Sequence, residues 1–444
     1  MEREKTSEKN IILITIDCLR GDHLHCMGYP KNITPTLDNL AANGILFKTA
    51  IANAPYTPYS VPSFLTSTLP PIKKGNKKTI TEVLKKNGYS TATFNPNPII
   101  LSSIAVPGSR LDKDFDCYDL MLSNVKRYGL VIEETRQVLM KYLRLGLKEK
   151  SVIYKIIYFL YDIAIKSFPT ILSPKQHRYI PLAEELNKHA INWIKNQKNK
   201  YFLWLHYMDV HEPYAPPNYE NQKELMYLIA KYRDFPNMLT KNEIQKLINL
   251  YDLEIKYTDK AINSFIQELK KMGHYDNSII IISADHGDAF GEHDTLGHGG
   301  KFRAQLYEEV IHVPLIISGH NKKGITIDRQ VQLLGLAPTI CELINIQSPP
   351  HFFGKSFFAK TQEKGMIANS SACIAYRTKK YKFIINKLDN KEKELYDLEN
   401  DPEEKRNIYK NNRIVADRQE SEMLNLLEKE KKKRNLMDIK LNFK

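Results

Sequence analysis

The sequence predicts an α/β fold, namely a doubly wound, mostly parallel sheet with helices on both faces and a small antiparallel sheet subdomain near the C-terminus. Short β-branched apolar runs, typical of strands buried on both faces, alternate with amphipathic helical segments over most of the chain. Beyond about residue 348 the pattern changes to short apolar runs separated by turns, which favours antiparallel strands. The alternation therefore indicates a parallel sheet, and the change of pattern indicates a second, smaller sheet.

The first strand is predicted over residues 11–16, and the helix after it begins at Thr34-Pro35 and ends before Gly44. Residues 50–71 are rich in proline and hydroxyl side chains, so we predict an ordered loop that leads into a short helix. Further along, Gly273 follows a long helical pattern as a C-cap. The other predicted elements are, in order, a helix over 78–87, a strand over 90–94, a helix over 182–197, a strand over 201–207, a helix over 242–272, strands over 278–282 and 313–317, and a helix over 338–344.

The chain is predicted to contain three units. They are the main α/β unit at residues 1–347, with a helical insertion at about 106–179, the small β subdomain at 348–415, with strands over 374–377, 381–385 and 395–398, and a charged helical tail at 416–444. The insertion carries lysines beside apolar helical stripes. It is interpreted as a lid or a partner surface, and plain packing helices are an equally good alternative.

The chain carries 65 basic and 51 acidic residues, a net charge of +14, which favours anionic partners. We expect an anionic ester substrate, and contact of the basic insertion with a membrane surface or lipid. Nucleic acid is not expected, because no basic stripe interleaved with aromatic residues is present.

The five cysteines show no Cys-x-x-Cys spacing, so the sequence predicts free thiols and a reducing compartment. The charged N-terminal residues run directly into the first apolar strand, without the apolar segment of a secretory signal. A later apolar run at residues 156–165 is interrupted by Asp162 and has about half of the ~20 residues that a membrane-spanning helix needs. A cytoplasmic location is therefore the expectation.

Ionisable side chains follow three of the predicted strands. Asp285 and His286 come just after the most apolar strand, Asp17 follows the first strand, and His211 follows the strand over 201–207. Because ligands bind where the strands of an open α/β sheet end, these side chains are candidates for one site. A carboxylate beside an imidazole suits a divalent cation, although an isolated Asp-His pair is more often a capped polar turn.

Several blocks of sequence resemble the sulfatase family of the alkaline phosphatase superfamily. They are ITIDCLRGDHL at residues 14–24, TPTLDNLA at 34–41, SADHG at 283–287, GEH at 291–293, YEEVIHVPL at 307–315 and LYDLENDPE at 395–403. The blocks occur in the family's order and span most of the chain. The resemblance implies an α/β domain with a smaller C-terminal sheet, and metal-dependent hydrolysis or transfer of sulfate or phosphate esters.

By position in these blocks, the resemblance implies that Asp17, Asp285 and His286 hold a divalent metal ion, which would be Zn, Mn, Ca or Mg. Family members often carry a second carboxylate directly after the first, and this chain has Cys18 there. A cysteine can ligate zinc. We expect instead that Cys18 faces the apolar core and that the site has fewer ligands.

The nucleophile position departs most from the family pattern. Sulfatases of the formylglycine type carry Cys or Ser in a C/S-x-P-x-R pattern, and alignment of FLTS at 64–67 with the family's LLTG places Thr57 at that position. Threonine is not a formylglycine precursor, but a hydroxyl beside a metal can attack phosphorus directly. A rival alignment places Ser60 there in a Ser-x-Pro pattern, with Phe64 where the family has Arg.

The remaining candidates lie on the substrate side of the family's site. His211 and His298 would assist the leaving oxygen or complete a second metal position. Lys301 and Ser60 are candidates for contact with an anionic substrate, and a solvated lysine is an equally good interpretation of Lys301. His206, within a predicted strand, is interpreted as a packed histidine.

The expected function is therefore a metal-dependent, sulfatase-like hydrolase or transferase that acts on phosphate or sulfate esters through a covalent Thr57 intermediate, with phosphate esters favoured. One alternative is a formylglycine-type sulfuric ester hydrolase that uses Ser60. The other is a non-catalytic relative that binds anions.

Overall fold

The computed structural model describes residues 9–72, 78–97, 114–119, 121, 156, 158–160, 162–163, 181–298, 305–320, 323–360, 364–388 and 392–442. Most of the predicted insertion at 106–179 lies outside the described residues, as does Lys301. Within the described part of the chain, none of the helices combines the length and the apolar composition needed to cross a bilayer.

A sheet of nine described strands forms the centre of the molecule. The strands are β1 (Asn10–Ile16), β2 (Ile45–Ile51), β3 (Ser90–Phe94), β4 (Cys117–Asp119), β5 (Tyr201–Tyr207), β6 (Ser278–Ser283), β7 (His312–Ser318), β8 (Ile325–Ile327) and β9 (Val331–Gln332). Their spatial order is β4-β3-β5-β1-β6-β7-β2-β8, and β9 also pairs with β2. All neighbours are parallel except the two pairs formed by β7, with β6 and with β2. The predicted mostly parallel sheet is confirmed.

Helices cover this sheet. The described α-helices are α1 (Pro35–Ala42), α2 (Thr57–Thr66), α3 (Ile80–Lys86), α4 (Ala183–Ile194), α5 (Gln222–Asp234), α6 (Lys241–Lys271), α7 (Glu308–Ile311), α8 (Leu336–Leu343) and α9 (Arg413–Asn442). Short 3-10 turns lie at Gly21–His23, His25–Met27, Pro236–Met238, Glu292–Asp294, Leu333–Gly335 and Tyr409–Asn411. The helix α6 packs on α1 and α4, whereas α2 packs on α3 and α8.

The local sequence explains the most regular elements. Every residue of β1 and of β6 is buried, which accounts for apolar runs without polar alternation. The predicted helix over 242–272 is confirmed as α6. Thr240 and Glu243 form a capping box at its start, and Gly273 follows its end with a φ of +73°.

The structure differs from the predicted elements in several places. The strand β2 and the helix α5 were not predicted, although α2 agrees with the short helix expected within residues 50–71. The strand β7 was predicted to continue the parallel pattern, yet it is antiparallel to both neighbours. The described part of the connection from β6 to β7 contains the 3-10 turn Glu292–Asp294 and the four-residue helix α7, whereas parallel neighbours are usually joined by a full crossover helix.

The predicted small C-terminal sheet is confirmed. Its strands are β10 (Gly365–Asn369), β11 (Cys373–Thr378), β12 (Tyr381–Asn386) and β13 (Lys393–Asp397), and all neighbours are antiparallel. The helix α9 buries Ala416, Met423 and Leu426 in the same apolar cluster as residues of this sheet. The charged C-terminal segment is therefore a helix packed on the small sheet.

Buried ion pairs join the small sheet to the main sheet. The fully buried Lys382, on β12, places Nζ 3.1 Å from Glu308 Oε1 and 3.0 Å from Glu404 Oε1. Arg377, on β11, donates two hydrogen bonds of 2.9 Å to the Glu308 carboxylate. Because Glu308 begins α7, next to β7, these contacts fix the small sheet against the main one.

Candidate active site

Three parallel, adjacent strands end at one edge of the main sheet. Asp17 directly follows β1, Asp285 and His286 follow β6, and His211 follows β5 on the other side of β1. Asp17, Asp285 and His286 are completely buried. The convergence of the two predicted carboxylates follows from this strand order, because the carboxyl ends of parallel neighbours meet at the same edge.

Thr57 lies between these residues. Its Oγ1 is 3.3 Å from Asp17 Oδ2 and 3.1 Å from His286 Nε2, and the side chain is almost fully buried. Thr57 is the first residue of α2, so its hydroxyl lies at the positive end of the helix dipole. The geometry therefore brings a hydroxyl into contact with two of the predicted metal ligands.

Asp17 is held in place by buried polar side chains from β5, from β1 and from the segment after β3. His206 Nε2 lies 3.1 Å from Asp17 Oδ2, and His206 Nδ1 lies 2.7 Å from Thr15 Oγ1. Asn97 Nδ2 donates to the same Asp17 oxygen at 3.5 Å. Burial by itself would raise the pKa of Asp17, but His211, His206 and His286 outweigh it and hold that pKa well below its usual value. The packed-histidine interpretation of His206 missed this contact.

The residues present fit a divalent cation. Two fully buried carboxylates face one imidazole, and Asp285 Oδ2 has no hydrogen-bond partner among the described residues. His286 Nδ1 donates to the Gly287 carbonyl at 2.9 Å, which leaves His286 Nε2 with its lone pair, 3.5 Å from Asp285 Oδ2 and 3.6 Å from Asp17 Oδ1. A cation would supply the partner that Asp285 Oδ2 lacks.

Cys18 does not face the apolar core, so that expectation is wrong. Its Sγ donates to Asp17 Oδ1 at 3.3 Å and lies 3.6 Å from His298 Nδ1. The backbone turns at this residue, with a φ of +61°, and the side chain lies among the polar groups. Burial, together with the charge of Asp17 and of Asp288, raises the pKa of the Cys18 thiol well above its usual value.

His211 and His298 lie together beside the ligand set. Their ring centroids are 5.3 Å apart, and the ring of His298 lies 4.6 Å from that of His286. His298 Nδ1 contacts Asp288 Oδ1 at 3.4 Å and Glu212 Oε2 at 3.7 Å. Burial alone would lower the pKa of His298, but Glu212 and Asp288 outweigh it and raise that pKa to about 10.

Ser60 lies one turn further along α2 and has a different environment. Its Oγ donates to the backbone carbonyl of Asp285 at 2.7 Å, and the residue is completely buried. Phe64, at the position of the family's Arg in the rival alignment, is also completely buried, with its ring centroid 6.3 Å from that of Trp204. The Ser60 hydroxyl therefore fixes the loop that carries Asp285.

Sequence reasoning missed two ionisable residues of the site. Asp288 is fully buried and accepts a hydrogen bond from Tyr214, and Glu212 lies beside His211. Both residues are within three positions of a predicted site residue, in loops that leave β5 and β6. Their closeness in sequence to His286 and His211 is the signal that could have identified them as site residues.

Two models of known protein families match this chain. A family model described as Sulfatase matches residues 9–346, and a model described as N-sulphoglucosamine sulphohydrolase, C-terminal, matches residues 297–433. The chain belongs to the sulfatase family. Its fold combines a doubly wound α/β domain with a separate antiparallel sheet.

Individual relatives are distant. A sulfatase of Formosa agariphila is 26% identical over 48% of this chain and 48% of its own length, so the chain spans about half of that relative. An arylsulfatase of Clostridium perfringens is 24% identical over 90% of both chains.

Two solved structures share the fold. The phosphonate monoester hydrolase of Agrobacterium radiobacter has a TM-score of 0.67 at 18% identity, and the match covers 95% of this chain and 96% of that one. A protein solved in complex with its substrate D-glucosamine-2-N,6-O-disulfate has a TM-score of 0.68 at 19% identity, over 96% and 98% of the two chains.

Proposed function

We propose that this sulfatase-family member hydrolyses or transfers phosphate or sulfate esters, with Thr57 as the nucleophile and phosphate esters as the favoured substrates. The observation that carries the proposal is the position of Thr57 Oγ1, within 3.3 Å of Asp17 and 3.1 Å of His286 at the start of α2. A hydroxyl is a weak nucleophile at its ordinary pKa and needs such an environment.

Asp17, Asp285 and His286 would hold the divalent cation. When bound, the cation supplies positive charge that favours the ionised form of a neighbouring hydroxyl and offsets the charge of the ester. Asp17 Oδ2 accepts the hydrogen bond of the Thr57 hydroxyl and so fixes the oxygen for attack. His206 keeps Asp17 in that orientation through its own 3.1 Å contact.

The reaction has two steps. Thr57 Oγ1 releases its proton to solvent and forms a bond to phosphorus while the bond from phosphorus to the leaving oxygen breaks. His211 and His298, whose rings lie together beside the ligand set, stabilise the leaving oxygen, and one of them donates a proton to it. Water, or an acceptor alcohol in a transferase, then attacks the phosphothreonine and regenerates the hydroxyl.

Phosphate esters are favoured because the nucleophile is unmodified. A formylglycine hydrate has a second hydroxyl that expels sulfate from the covalent intermediate, and threonine has none. A phosphorylated threonine can instead be hydrolysed at phosphorus by water. Thr57 therefore supports turnover of phosphate esters more readily than turnover of sulfate esters.

Sulfate esters are the second candidate, because the relatives include arylsulfatases. A formylglycine mechanism would use Ser60, but the Ser60 hydroxyl donates to the Asp285 carbonyl, and Phe64 stands in place of the Arg. A non-catalytic anion-binding protein would not need the contact of the Thr57 hydroxyl with Asp17 and His286.

The test is a side-by-side assay of the metal-loaded protein on nitrophenyl sulfate, nitrophenyl phosphate and a nitrophenyl phosphodiester. We expect faster turnover of a phosphate ester, no activity in Thr57→Ala and partial activity in Thr57→Ser. Intact-mass analysis checks Thr57 and Ser60 for modification. Faster sulfate turnover or a formylglycine at Ser60 would refute the Thr57 proposal, and no turnover of any ester would favour an anion-binding protein.

We further propose that the insertion at 106–179 contacts a membrane surface. Residues 141–180 hold eight Lys or Arg and only two acidic residues. In the described helical residues of this segment, Ile156, Phe159, Leu160 and Ile163 are exposed, which is the i, i+3, i+4, i+7 spacing of one helix face. An exposed apolar face within a basic segment suits the surface of an anionic bilayer.

A further inference from the structure

Four side chains with metal-binding atoms form a second cluster beside the first. Cys18, His211, Glu212 and His298 each offer one donor atom, and these atoms all lie within 4.8 Å of one another. Cys18 is fully buried, and the others are partly buried. We propose that this cluster binds a second metal ion, of the zinc type, so that the active site holds two cations.

The donors have the types and spacing of a zinc site. Thiolate, imidazole and carboxylate are the ligands of tetrahedral zinc, and metal–ligand bonds of about 2.0–2.3 Å place neighbouring donors about 3.3–3.8 Å apart. Cys18 Sγ lies 3.6 Å from His298 Nδ1, and Glu212 Oε2 lies 3.7 Å from the same nitrogen. Closure of the cluster around an ion therefore needs movements of roughly 1 Å.

Two of the donors are already oriented for a ligand. His211 Nδ1 donates to the Glu212 carbonyl at 2.6 Å, which leaves Nε2 of that ring with a free lone pair, as in many metal-bound histidines. Glu212 Oε2 is buried and has no hydrogen-bond partner among the described residues. A buried carboxylate oxygen without such a partner is unfavourable, and a cation would remove that cost.

The charges of the buried side chains around the site also favour a second cation. In the described part of the chain, the ion-pair partners of Asp17, Asp285, Asp288 and Glu212 are all histidines. The buried Arg20 is paired with other carboxylates, those of Asp22 and Glu292. Buried charges need compensation, and one divalent cation balances only the two carboxylates of the first site, Asp17 and Asp285. A second divalent cation balances the Glu212 carboxylate and the Cys18 thiolate that would hold it, and Asp288 keeps its hydrogen bond from Tyr214.

The consequence for catalysis rests on the proposed function, whereas the binding itself does not. With the second site filled, the leaving oxygen of the ester would meet a cation held by His211 and His298 in place of the two imidazoles alone. Two cations that flank the transferred group are an established arrangement for phosphoryl transfer.

The test combines metal stoichiometry with a cobalt spectrum of the full chain. Protein stripped by a chelator is loaded with Co²⁺, and elemental analysis should find two equivalents per chain. A thiolate-to-cobalt charge-transfer band should appear in the near ultraviolet. Cys18→Ser should lose this band and one of the two equivalents. Cys26→Ser, at a half-buried free cysteine outside the cluster, is the matched control and should keep both.

One equivalent in the unaltered chain, or a band that persists in Cys18→Ser, overturns the proposal. If Cys18→Ser does not fold, Glu212→Gln replaces it, because the Glu212 side chain is 33% exposed, and it should also bind one equivalent. Ester hydrolysis, measured on the same preparations, distinguishes failure of the second metal site from failure of the proposed function. Turnover with one bound equivalent refutes the second site alone, whereas two equivalents without turnover refute the proposed function alone.

Discussion

The substitution Lys382→Met tests how the small sheet is held against the main one. Lys382 is completely buried and lies between two carboxylates, with Nζ 3.1 Å from Glu308 Oε1 and 3.0 Å from Glu404 Oε1. Methionine fills a similar volume without the charge. The substitution therefore removes one partner of a buried ion cluster and keeps the packing.

The expected loss follows from what each carboxylate retains. Removal of one partner of a buried ion pair costs about 3–5 kcal/mol, because an uncompensated charge stays buried. Glu308 keeps both hydrogen bonds from Arg377, whereas the Glu404 carboxylate keeps, among the described residues, only the 2.7 Å hydrogen bond from the Glu308 backbone nitrogen. Since one carboxylate of the two loses its side-chain partner, we expect about 3 kcal/mol, at the lower end of that range.

The assay is urea unfolding, followed by circular dichroism, at a pH well above 7, because the pKa of Glu404 is already raised to about 7 and loss of Lys382 raises it further. Lys380→Met is the matched control. Lys380 lies just before the same strand, but it is 45% exposed and its Glu399 contact is 3.6 Å long, so its replacement should leave the unfolding curve unchanged. The double variant Lys382→Met/Glu404→Gln should regain about 0.5–3 kcal/mol, the usual coupling energy of directly interacting residues.

Equal urea midpoints for Lys382→Met and Lys380→Met would refute the expected loss. If Glu404→Gln does not restore stability to Lys382→Met, the loss comes from packing and not from an unpaired carboxylate.

Three further outcomes are expected. Burial, which outweighs the attraction of Lys382, raises the folded-state pKa of Glu404 from 4.5 to about 7. The folded protein therefore binds the extra proton in this interval, and stability measured by thermal unfolding should fall as the pH rises through it. Glu404→Gln should remove this pH dependence. Asp285→Asn and His286→Ala should each lower the metal content measured by elemental analysis while circular dichroism stays unchanged, and full occupancy in both would reject the ligand assignment. Phe159→Glu should weaken sedimentation with anionic lipid vesicles and leave hydrolysis of small esters unaffected. Equal vesicle binding by the variant and the unaltered chain would contradict the membrane contact.

The sequence determined the class of fold because a strand that is buried on both faces must be apolar at nearly every position, and such a run is visible within a few residues. The runs that became β1 and β6 are apolar at almost every position, and both strands are buried on both faces. The caps of α6 are equally local, since they depend on residues within a few positions of each helix end. The placement of Asp17 and Asp285 after two such strands was sufficient to predict that the two carboxylates meet.

The strand β2 was missed because it lacks such a continuous apolar run. It carries the exposed Lys48 in its middle and lies directly after Gly44, so its apolar run is interrupted and short. The direction of β7 was equally hidden, because an apolar run has the same pattern whether its neighbours are parallel or antiparallel.

Only the tertiary structure decided which side chains complete the site. His206 contacts Asp17 across 189 residues of sequence, and Cys18 contacts His298 across 280. The same holds for Ser60, whose hydroxyl is directed to the Asp285 backbone by the start of α2 at Thr57. Such contacts depend on strand order and on the exit angle of each loop, and these are set by packing of the whole sheet, because no residue type or spacing near either partner specifies them.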